Sequence, residues 1–508
     1  MYDIYKSTIS VARKYIVEVI MKKLLVTLMC VAMVLTLMPA VAFAGTTSVG
    51  NAADLKNAIS FAADGDVIIL TSDIDLGSDS ISINKAITIT GGTDKYAIKS
   101  TAADVIKVLD TTMSLDGKVV LDNLTIKAAN SSKTSRAIGL GGSKITKLEL
   151  DVNNCVIETT QRGITVNADA NTGIVLNVNN SSISLTNDIT NYDEQVDPTD
   201  NYNNSRGISL WEMGESEVNI INSLIQGFYY SVNISGSKSS EGTVVSMANS
   251  TFKGRAAINS WAAGVKWTVT DCEIHGINNF GGPQEGFGTI VLNETSANNT
   301  VEVNNSKFTT YFNSTGLNNP NATEFMFAIR NSSSNAIIKG ANTSYSCVAD
   351  KGGIAKHYST DQVKIYGGTF SCDASDYVAE GYGCYLKDGK YVVAPKAADI
   401  KLDKAEANIE VGQTITLKAT VLPEGTLDTV AWTTDKADVA TVKDGVVTAV
   451  APGTATITAT VNGKTATCKV TVYKATVPKT DDSANMMLWL VLVAIAGVGA
   501  VAFKKKED

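Results

Sequence analysis

Residues 303–308 read VNNSKF, and this six-residue pattern recurs along the chain. Its third position carries Asn, Asp or Gly in every copy. The other copies are LDNLTI (121–126), VNNCVI (152–157), VNNSSI (178–183), IINSLI (220–225), MANSTF (247–252), VTDCEI (269–274) and IYGGTF (365–370), with a weaker copy around Asn342. The third positions are therefore 123, 154, 180, 222, 249, 271, 305, 342 and 367, and the shortest step is 22 residues. A repeat of roughly 20–50 residues indicates a solenoid, a propeller or another array.

Short stretches of alternating apolar residues lie between the copies, such as IVLNV at 174–178, and no helical period of 3.6 residues does. A minimum step with a variable excess fits one coil of a right-handed parallel β-helix, with the excess in turns. The asparagines suit the corners because Asn tolerates the left-handed backbone region, and stacked coils ~4.8 Å apart would join their amides into ladders. The alternative is an antiparallel β-sandwich array, which the constant place of the pattern in each period disfavours.

Composition agrees with this fold and excludes some functions. The chain has 508 residues and 39 asparagines, of which 33 lie between Asn123 and Asn342. The formal charge is −8, which disfavours a general nucleic-acid binder. Two histidines, His275 and His357, disfavour histidine metal sites and Ser-His-Asp chemistry.

The N-terminal end of the repeat needs a cover, because an open coil exposes unpaired backbone. Residues 51–63 predict a capping helix, with Leu55, Ala58, Ile59 and Ala62 on one face. The stretch NAADLKNAISFAADGDVIIL (51–70) resembles the opening of pectate-lyase-like β-helices and of adhesin-like surface proteins. With the coils, the resemblance covers about residues 45–395, and it implies a fold more than a function.

Residues 397–473 change character, with many Ala, Val and Thr and glycines at the predicted turns. The segments VGQTITLKA (411–419), VAW (430–432), DGVVTA (444–449) and PGTATI (452–457) resemble the bacterial immunoglobulin-like group 2 family. The resemblance implies a small β-sandwich with Trp432 in its core and Gly453 at a turn. It also implies a surface spacer or contact domain without catalytic residues. The expected fold class is therefore all-β.

The two ends carry targeting signals. Residues 21–44 have the basic start, apolar run and Ala-Phe-Ala end of a signal peptide, so residues 1–44 form an N-terminal extension and signal, and Met21 or Met1 is the start. Residues 486–503 lack charge and precede three lysines, which predicts a membrane-spanning segment with a cytoplasmic tail at 504–508. We expect an exported protein held at the surface of a Gram-positive bacterium.

The linker at 474–485 contains a further motif. Residues Val477, Pro478, Lys479, Thr480 and Asp481 resemble a cell-wall sorting signal, in which a sortase cleaves after Thr in Leu-Pro-x-Thr-Gly. The chain differs from that signal at Val477 and Asp481. Covalent attachment by a sortase and anchoring through the span alone are therefore alternatives.

The arginines are the main indication of a site. Five follow the signal, and four share one context: Arg136-Ala-Ile, Arg162-Gly-Ile, Arg206-Gly-Ile and Arg255-Ala-Ala-Ile. With Tyr230 filling an intermediate coil, they predict one column along the β-helix, and Trp211 and Trp261 follow two of them. Guanidinium groups bind carboxylate or sulfate and indoles stack on sugars, so the column predicts an acidic-glycan strip. The alternative is that the arginines bond to turn carbonyls and the tryptophans pack under loops.

Other candidate chemistry is weaker. The acidic residues of insertion 186–204 match no calcium loop, so a solvated loop is favoured over Ca²⁺ binding, and no other cofactor is expected. Six cysteines follow the signal, too few for a disulfide scaffold. Cys347 could pair with Cys372, Cys372 could pair with Cys384, or all could be buried thiols.

These patterns together favour a non-catalytic adhesin or ligand-binding protein that displays a β-helix on an immunoglobulin-like spacer. Its partner would be an extracellular glycan or a host surface, with no nucleic acid. The first alternative is a lyase or hydrolase acting on an acidic glycan, although no aligned pair of acids marks a hydrolase site. The second alternative is a purely structural stalk.

Overall fold

The computed structural model describes residues 44–109, 114–141, 145–166, 171–186, 205–236, 240–278, 287–312, 324–347 and 352–474. The signal peptide, the sorting-like motif, the acidic residues of the insertion and the predicted membrane span lie outside these residues. No helix in the described ranges is long and apolar enough to cross a membrane. Contacts divide the chain into two compact units, with the main boundary near residue 394.

The first unit is a parallel β-helix, as its strand pairing shows. Twelve strands stack in parallel into what we name the first sheet. They are Thr46–Val49, Val67–Leu70, Thr88–Thr90, Ser114–Asp122, Lys147–Asn153, Ile174–Asn179, Glu217–Ile221, Val244–Ala248, Lys266–Thr270, Thr300–Asn304, Asn335–Lys339 and Val363–Ile365. Each pairs in parallel with the strand one coil away, which is the pairing of a solenoid.

The second sheet follows the asparagine corner of each coil. Its strands are Ile74–Asp75, Ala97–Ser100, Thr125–Ala128, Val156–Thr159, Ser182–Leu185, the first parts of Leu224–Ser235 and Thr251–Ser260, Glu273–Asn278, Lys307–Phe312, Ser344–Cys347 and Gly368–Phe370. Strand Tyr382–Lys387 and strand Lys390–Pro395 follow, and the latter pairs antiparallel with Gly368–Phe370.

The third sheet completes the coil. Its strands are Ile81–Ile83, Asp104–Val108, Arg136–Leu140, Arg162–Val166, Arg206–Trp211, the second parts of Leu224–Ser235 and Thr251–Ser260, Phe287–Leu292, Glu324–Ile329 and Gly352–Lys356. A short parallel pair, Asn171–Thr172 with Met213–Gly214, lies between coils. Two 3₁₀ turns, Thr360–Gln362 and Ser375–Tyr377, occur near the end of the unit.

Inward side chains fill the coils in columns. In the first sheet, one column of register partners runs from Leu150 through Leu176 and Val218 to Val245 and Trp267, and all five are buried. Burial of such side chains stabilises each coil by about 25 cal/mol per Å² of apolar surface removed from water. Because each coil has no core of its own, this stacking is what holds the repeat together.

The corners confirm the prediction of left-handed asparagines. Asn123, Asn154, Asn180, Asn222, Asn249, Asp271 and Asn305 all have φ between 47° and 55°. The predicted ladders form in part: Nδ2 of Asn222 donates to Oδ1 of Asn180 at 3.2 Å, and Nδ2 of Asn179 donates to Oδ1 of Asn153 at 2.9 Å.

The weak copy at Asn342 was misaligned. Strand 335–339 pairs with strand 300–304 so that Lys339 faces Asn304, and the corner opposite Asn305 is therefore Gly340, with φ of 83°. Two extra residues, Ala341 and Asn342, follow this corner. Because of this two-residue insertion, Asn342 lies two residues beyond the corner position.

The predicted capping helix is confirmed at Ala52–Phe61, and we name it α1. Asn51 caps its N-terminus, since its Oδ1 accepts from the backbone N–H of Asp54 at 3.0 Å. Leu55 and Ile59 are buried, which agrees with the predicted apolar face. Nζ of Lys85 donates to the carbonyl of Ser60 near the helix C-terminus.

The second unit is a small β-sandwich. Its strands are Asp399–Leu402, Glu406–Glu410, Thr414–Thr416, Ala419–Leu422, Ala431–Thr434, Ala440–Lys443, Val446–Ala449, Gly453–Val461 and Lys464–Tyr473. Trp432 packs against the core but is only partly buried. Gly453 opens a strand, whereas Gly445 occupies a turn with φ of 81°. Gly453 has φ of 154° and directly follows a bend at 451–452, and a Cβ on Gly445 would lie 3.1 Å from the ring of Trp432.

Candidate ligand-binding site

The third sheet brings the predicted arginines into one column. Arg136 pairs with Arg162, Arg162 with Arg206, and Arg206 with Tyr230 in parallel register. Each is the first residue of its strand or of its third-sheet segment. Asp104 precedes Arg136 in the same register and was missed by the sequence analysis. Matching Ala-Asp-Val-Ile at 103–106 to Ser-Arg-Ala-Ile at 135–138 would have found it.

Arg136 is neutralised within the protein. Its Nη2 donates to Oδ2 of Asp104 at 2.8 Å, and its Nε donates to Oδ1 of the same carboxylate. Both side chains are largely buried. The pair lies against Gly139, where a Cβ would be 3.0 Å from the carboxylate and 3.3 Å from Nε. This two-point contact is the strong geometry for a guanidinium and a carboxylate.

Arg162, one coil on, has no such neutralisation. Its Nε is buried and has no hydrogen-bond partner among the described residues. Burial lowers the pKa of Arg162, and the charge of Arg136 lowers it further, so both influences disfavour the guanidinium cation. Oγ1 of Thr165 and Oε1 of Gln161, in the same coil, are likewise buried without a partner in the described chain. These are three unsatisfied polar atoms within five residues.

Arg206 is held by aromatic rings. Its guanidinium carbon lies 4.3 Å from the ring centroid of Tyr230 and 5.5 Å from that of Tyr229, and its Nη1 donates to the carbonyl of Ser205 at 2.8 Å. Burial is the main cause that lowers the pKa of Arg206 to about 10, and the charge of Arg162 adds to it. Burial raises the pKa of Tyr230, so its hydroxyl stays protonated at neutral pH.

Arg255 is not in the predicted column. Ala256 pairs with Tyr230, because the register shifts between Gln226 and Phe228. The guanidinium carbon of Arg255 instead lies 4.8 Å from the ring centroid of Tyr229. Tyr229 thus contacts both Arg255 and Arg206, and its ring meets Tyr230 edge-on at 4.7 Å. The extra alanine in Arg255-Ala-Ala-Ile was the sequence signal of this offset.

The two tryptophans share a second column. Trp211 pairs with Ser235, and the register of the next coil places Ser235 beside Trp261. Trp211 is 41% exposed and Trp261 is 39% exposed, so both present apolar surface to solvent. Arg206 and Trp211 are the two ends of one strand. The alternative expectation, that the tryptophans are covered by loops, does not fit this exposure.

The remaining reactive groups lie elsewhere. Nε2 of His357 contacts the hydroxyl of Tyr377 at 3.0 Å, and burial is the main cause that lowers the pKa of His275. The structure forms no disulfide between Cys372 and Cys384. The side chain of Cys347 is outside the described set. Within the described ranges, no cluster of three potential metal-binding side chains occurs.

Comparison with known proteins assigns the second unit. Residues 396–472 match the family described as bacterial Ig-like domain (group 2), whose members occur in bacterial surface proteins. No curated protein matches the chain.

Two similar solved structures are enzymes. An alginate lyase from Paenibacillus sp. str. FPU-7 is 16% identical, with a TM-score of 0.34 over 62% of this chain and 98% of that chain. An endopolygalacturonase I from Stereum purpureum, complexed with two galacturonate, is 14% identical, with a TM-score of 0.22 over 62% and 92%. Likeness this low carries no argument about activity, and the strand pairing itself establishes the β-helix.

Proposed function

We propose that the third sheet of the β-helix binds an acidic polysaccharide, and that the protein presents this face at the bacterial surface as a binding protein. The observation that supports the proposal is the buried Nε of Arg162, which has no hydrogen-bond partner among the described residues. Arg162 lies between Arg136 and Arg206 in register, and no described residue pairs its guanidinium with a carboxylate as Asp104 does for Arg136. Adjacent coils are ~4.8 Å apart, so neighbouring guanidinium groups repel. An anion from outside would offset both this repulsion and the cost of burying Arg162.

A polymer fits this face better than a small anion does. The β-helix repeats each position at the coil spacing, so a chain with regularly spaced groups can contact several coils at once. Trp211 and Trp261 are two coils, ~10 Å, apart and exposed. Indole rings stack on sugar faces through apolar contact. The arginines would therefore bind acidic groups while the tryptophans contact the sugars.

Display at the surface rests on three features. Residues 396–472 match a family that occurs in bacterial surface proteins. The signal-like segment at 21–44 and the apolar segment at 486–503 have the composition of export and anchoring signals. The motif at Val477–Asp481 adds covalent attachment by a sortase as one form of anchoring. We propose that a host or environmental glycan is the ligand.

Affinity electrophoresis of the purified full-length protein tests the proposal. Polygalacturonate, alginate and dextran sulfate serve as acidic probes, and dextran serves as the neutral probe. We expect retardation by an acidic probe and at least about a tenfold loss of affinity in Arg162→Ala, since a charge-assisted bidentate contact contributes roughly 1.5–3 kcal/mol. The control is Lys266→Ala, which removes an exposed cation from the first sheet.

One result would overturn binding. If no acidic polymer retards the wild-type protein more than dextran does, the arginine column has no glycan role. A structural stalk would then be the better description of the β-helix.

Cleavage of the bound polysaccharide is the second candidate, and the contact between Arg206 and Tyr230 favours it. Elimination from a uronate needs a cation to neutralise the carboxylate, a base to remove the adjacent proton and an acid for the leaving oxygen. Arg206 can supply the cation, and Tyr230 can supply the acid because its hydroxyl stays protonated. The base has no assigned residue.

Cleavage is tested by incubating the full-length protein with the uronate probes and following the ultraviolet absorbance of unsaturated products and the reducing ends. Product formation that is lost in Tyr230→Phe would establish a lyase and replace the non-catalytic description. Unchanged polymer length, with binding retained, would leave the binding function alone.

A further inference from the structure

The ion pair of Asp104 with Arg136 shows how a carboxylate binds an arginine of this column, and Arg162 is the next arginine in the column. On the preceding coil, the carboxylate of Asp104 accepts from both Nε and Nη2 of Arg136. The pair packs against Gly139, three residues further along the strand, where the absence of a side chain leaves room for the carboxylate. This arrangement shows how a carboxylate sits on this column.

The next coil repeats the arginine and changes the glycine. In the register, Arg162 lies beside Arg136, and Thr165 lies beside Gly139. Nε of Arg136 is 3.3 Å from the place of a Cβ on Gly139, and Thr165 follows Arg162 at the same three-residue spacing. Where the first coil has room for an internal carboxylate, the second has a hydroxyl.

Both of these groups are unsatisfied. Nε of Arg162 and Oγ1 of Thr165 are buried, and neither has a hydrogen-bond partner among the residues described. Thr165 as a whole is 1% exposed. A buried polar atom without a partner costs roughly 1–3 kcal/mol, so two of them three residues apart on one strand are expected to serve a ligand.

We infer that Arg162 and Thr165 form a carboxylate-selective subsite, with Thr165 as the specificity-determining residue. The inference rests on the proposed function and names the acidic group within it. Both carboxylate oxygens accept from the guanidinium, as those of Asp104 do on Arg136, and one of them also accepts from the hydroxyl of Thr165. A sulfate ester brings a third terminal oxygen, for which these two buried donors leave no partner. The subsite therefore favours uronate polymers over sulfated ones.

The test compares two probes on the full-length protein by affinity electrophoresis. Polygalacturonate carries carboxylates, and dextran sulfate of matched charge density carries sulfates. We expect Thr165→Val, which keeps the shape and removes the hydroxyl, to weaken polygalacturonate binding about tenfold and dextran sulfate binding less than about twofold. The matched control is Ser209→Ala, which removes the hydroxyl at the same register position one coil on.

A second variant separates charge from geometry. Arg162→Lys keeps a cation but loses the planar fork, so it should reduce the preference for polygalacturonate as well as the affinity. Circular dichroism of each variant verifies the fold.

The outcomes are distinct. Equal loss of both probes in Thr165→Val, or no loss of polygalacturonate binding, would overturn the carboxylate subsite and leave acidic-glycan binding intact. Failure of the wild-type protein to bind either probe would overturn the proposed function itself.

Discussion

Two neighbouring columns on the third sheet stack like side chains on like side chains. The asparagines of one column satisfy each other's hydrogen bonds, and the arginines of the other do not. Asn233 pairs with Asn259 in register, three residues after Tyr230 and Ala256 on the same strands. Nδ2 of Asn259 donates to Oδ1 of Asn233 at 2.6 Å, and Nδ2 of Asn293 donates to Oδ1 of Asn259 at 2.8 Å. These three asparagines are almost fully buried and joined by hydrogen bonds, with Asn293 two residues beyond Val291, the register partner of Asn259. The arginine column beside them has the ion pair of Arg136 with Asp104 and, among the described residues, an unsatisfied donor at Arg162.

The difference follows from the side chains. A β-helix places like residues on like residues, because each coil repeats the last. An amide has both a donor and an acceptor, so stacked asparagines satisfy each other. A guanidinium has only donors and a charge, so stacked arginines need acceptors from elsewhere. Stacked asparagines therefore satisfy one another, whereas each stacked arginine needs a partner that the arginine repeat itself does not supply.

The largest expected effect comes from removing the charge of Arg136 or of Arg162, on adjacent coils. Arg136→Met leaves the largely buried carboxylate of Asp104 without its partner, and we expect it to lower the free energy of unfolding by about 3 kcal/mol. Arg162→Met removes a cation that the described residues do not neutralise, so it should raise the free energy of unfolding by about 1 kcal/mol while abolishing binding of polygalacturonate.

Urea unfolding of the two variants measures this difference, with Lys266→Met as the exposed control of near-zero effect. The opposite signs at adjacent coils are the essential result. Equal destabilisation at both positions would mean that Arg162 is a structural residue, and the argument for a ligand would lose its basis.

The asparagine column should be costly to interrupt. Asn259→Ala leaves the acceptor of Asn233 buried without its donor and removes one of the two acceptors of the Asn293 amide, so we expect a loss of about 2 kcal/mol in the free energy of unfolding. Asn57→Ala, at an exposed position of α1, is the control and should change stability little. The measurement is again urea unfolding. If Asn259→Ala left the free energy of unfolding unchanged, the asparagine ladder would make no net contribution to stability.

Binding by the arginine column should require an ionised ligand. A uronate carboxylate bound to Arg162 has its pKa lowered below the free value of roughly 3.5, because the cation favours the anion. The favourable contact is therefore fully present above about pH 4 and is lost as pH falls through the bound pKa. Polygalacturonate affinity should fall in acid while dextran sulfate affinity persists. Parallel loss of both affinities would indicate unfolding, which circular dichroism detects.

Periodicity made most of the fold predictable. The asparagine spacing located the corners, because the left-handed backbone there restricts the residue type, and the apolar stripe at Leu55 and Ile59 identified α1. The errors came from single-residue and two-residue irregularities. Ala341 and Asn342 displaced one corner, and the register shift near Gly227 moved Arg255 beside Tyr229.

The site was predictable to the level of the column and no further. The shared pattern of Arg, a small residue and Ile predicted that Arg136, Arg162 and Arg206 stack, because in-register stacking depends on their spacing alone. Which arginine is neutralised depends on Asp104, whose strand lacks the repeated pattern. The role of Thr165 depends on burial and on unsatisfied hydrogen bonds, which spacing does not reveal.

The smallest expected effect separates two roles of a corner asparagine, which are its left-handed backbone conformation and its side-chain hydrogen bond. Asn222 has φ of 51°, and its amide donates to Asn180 at 3.2 Å. Asn222→Gly keeps the backbone conformation at no steric cost and loses only the exposed hydrogen bond, so we expect a loss of about 0.5 kcal/mol. Asn222→Ala loses the bond and also meets the left-handed penalty, so the loss should be about 1–2 kcal/mol. If both variants lose the same stability by urea unfolding, the ladder and not the corner conformation selects asparagine in each coil.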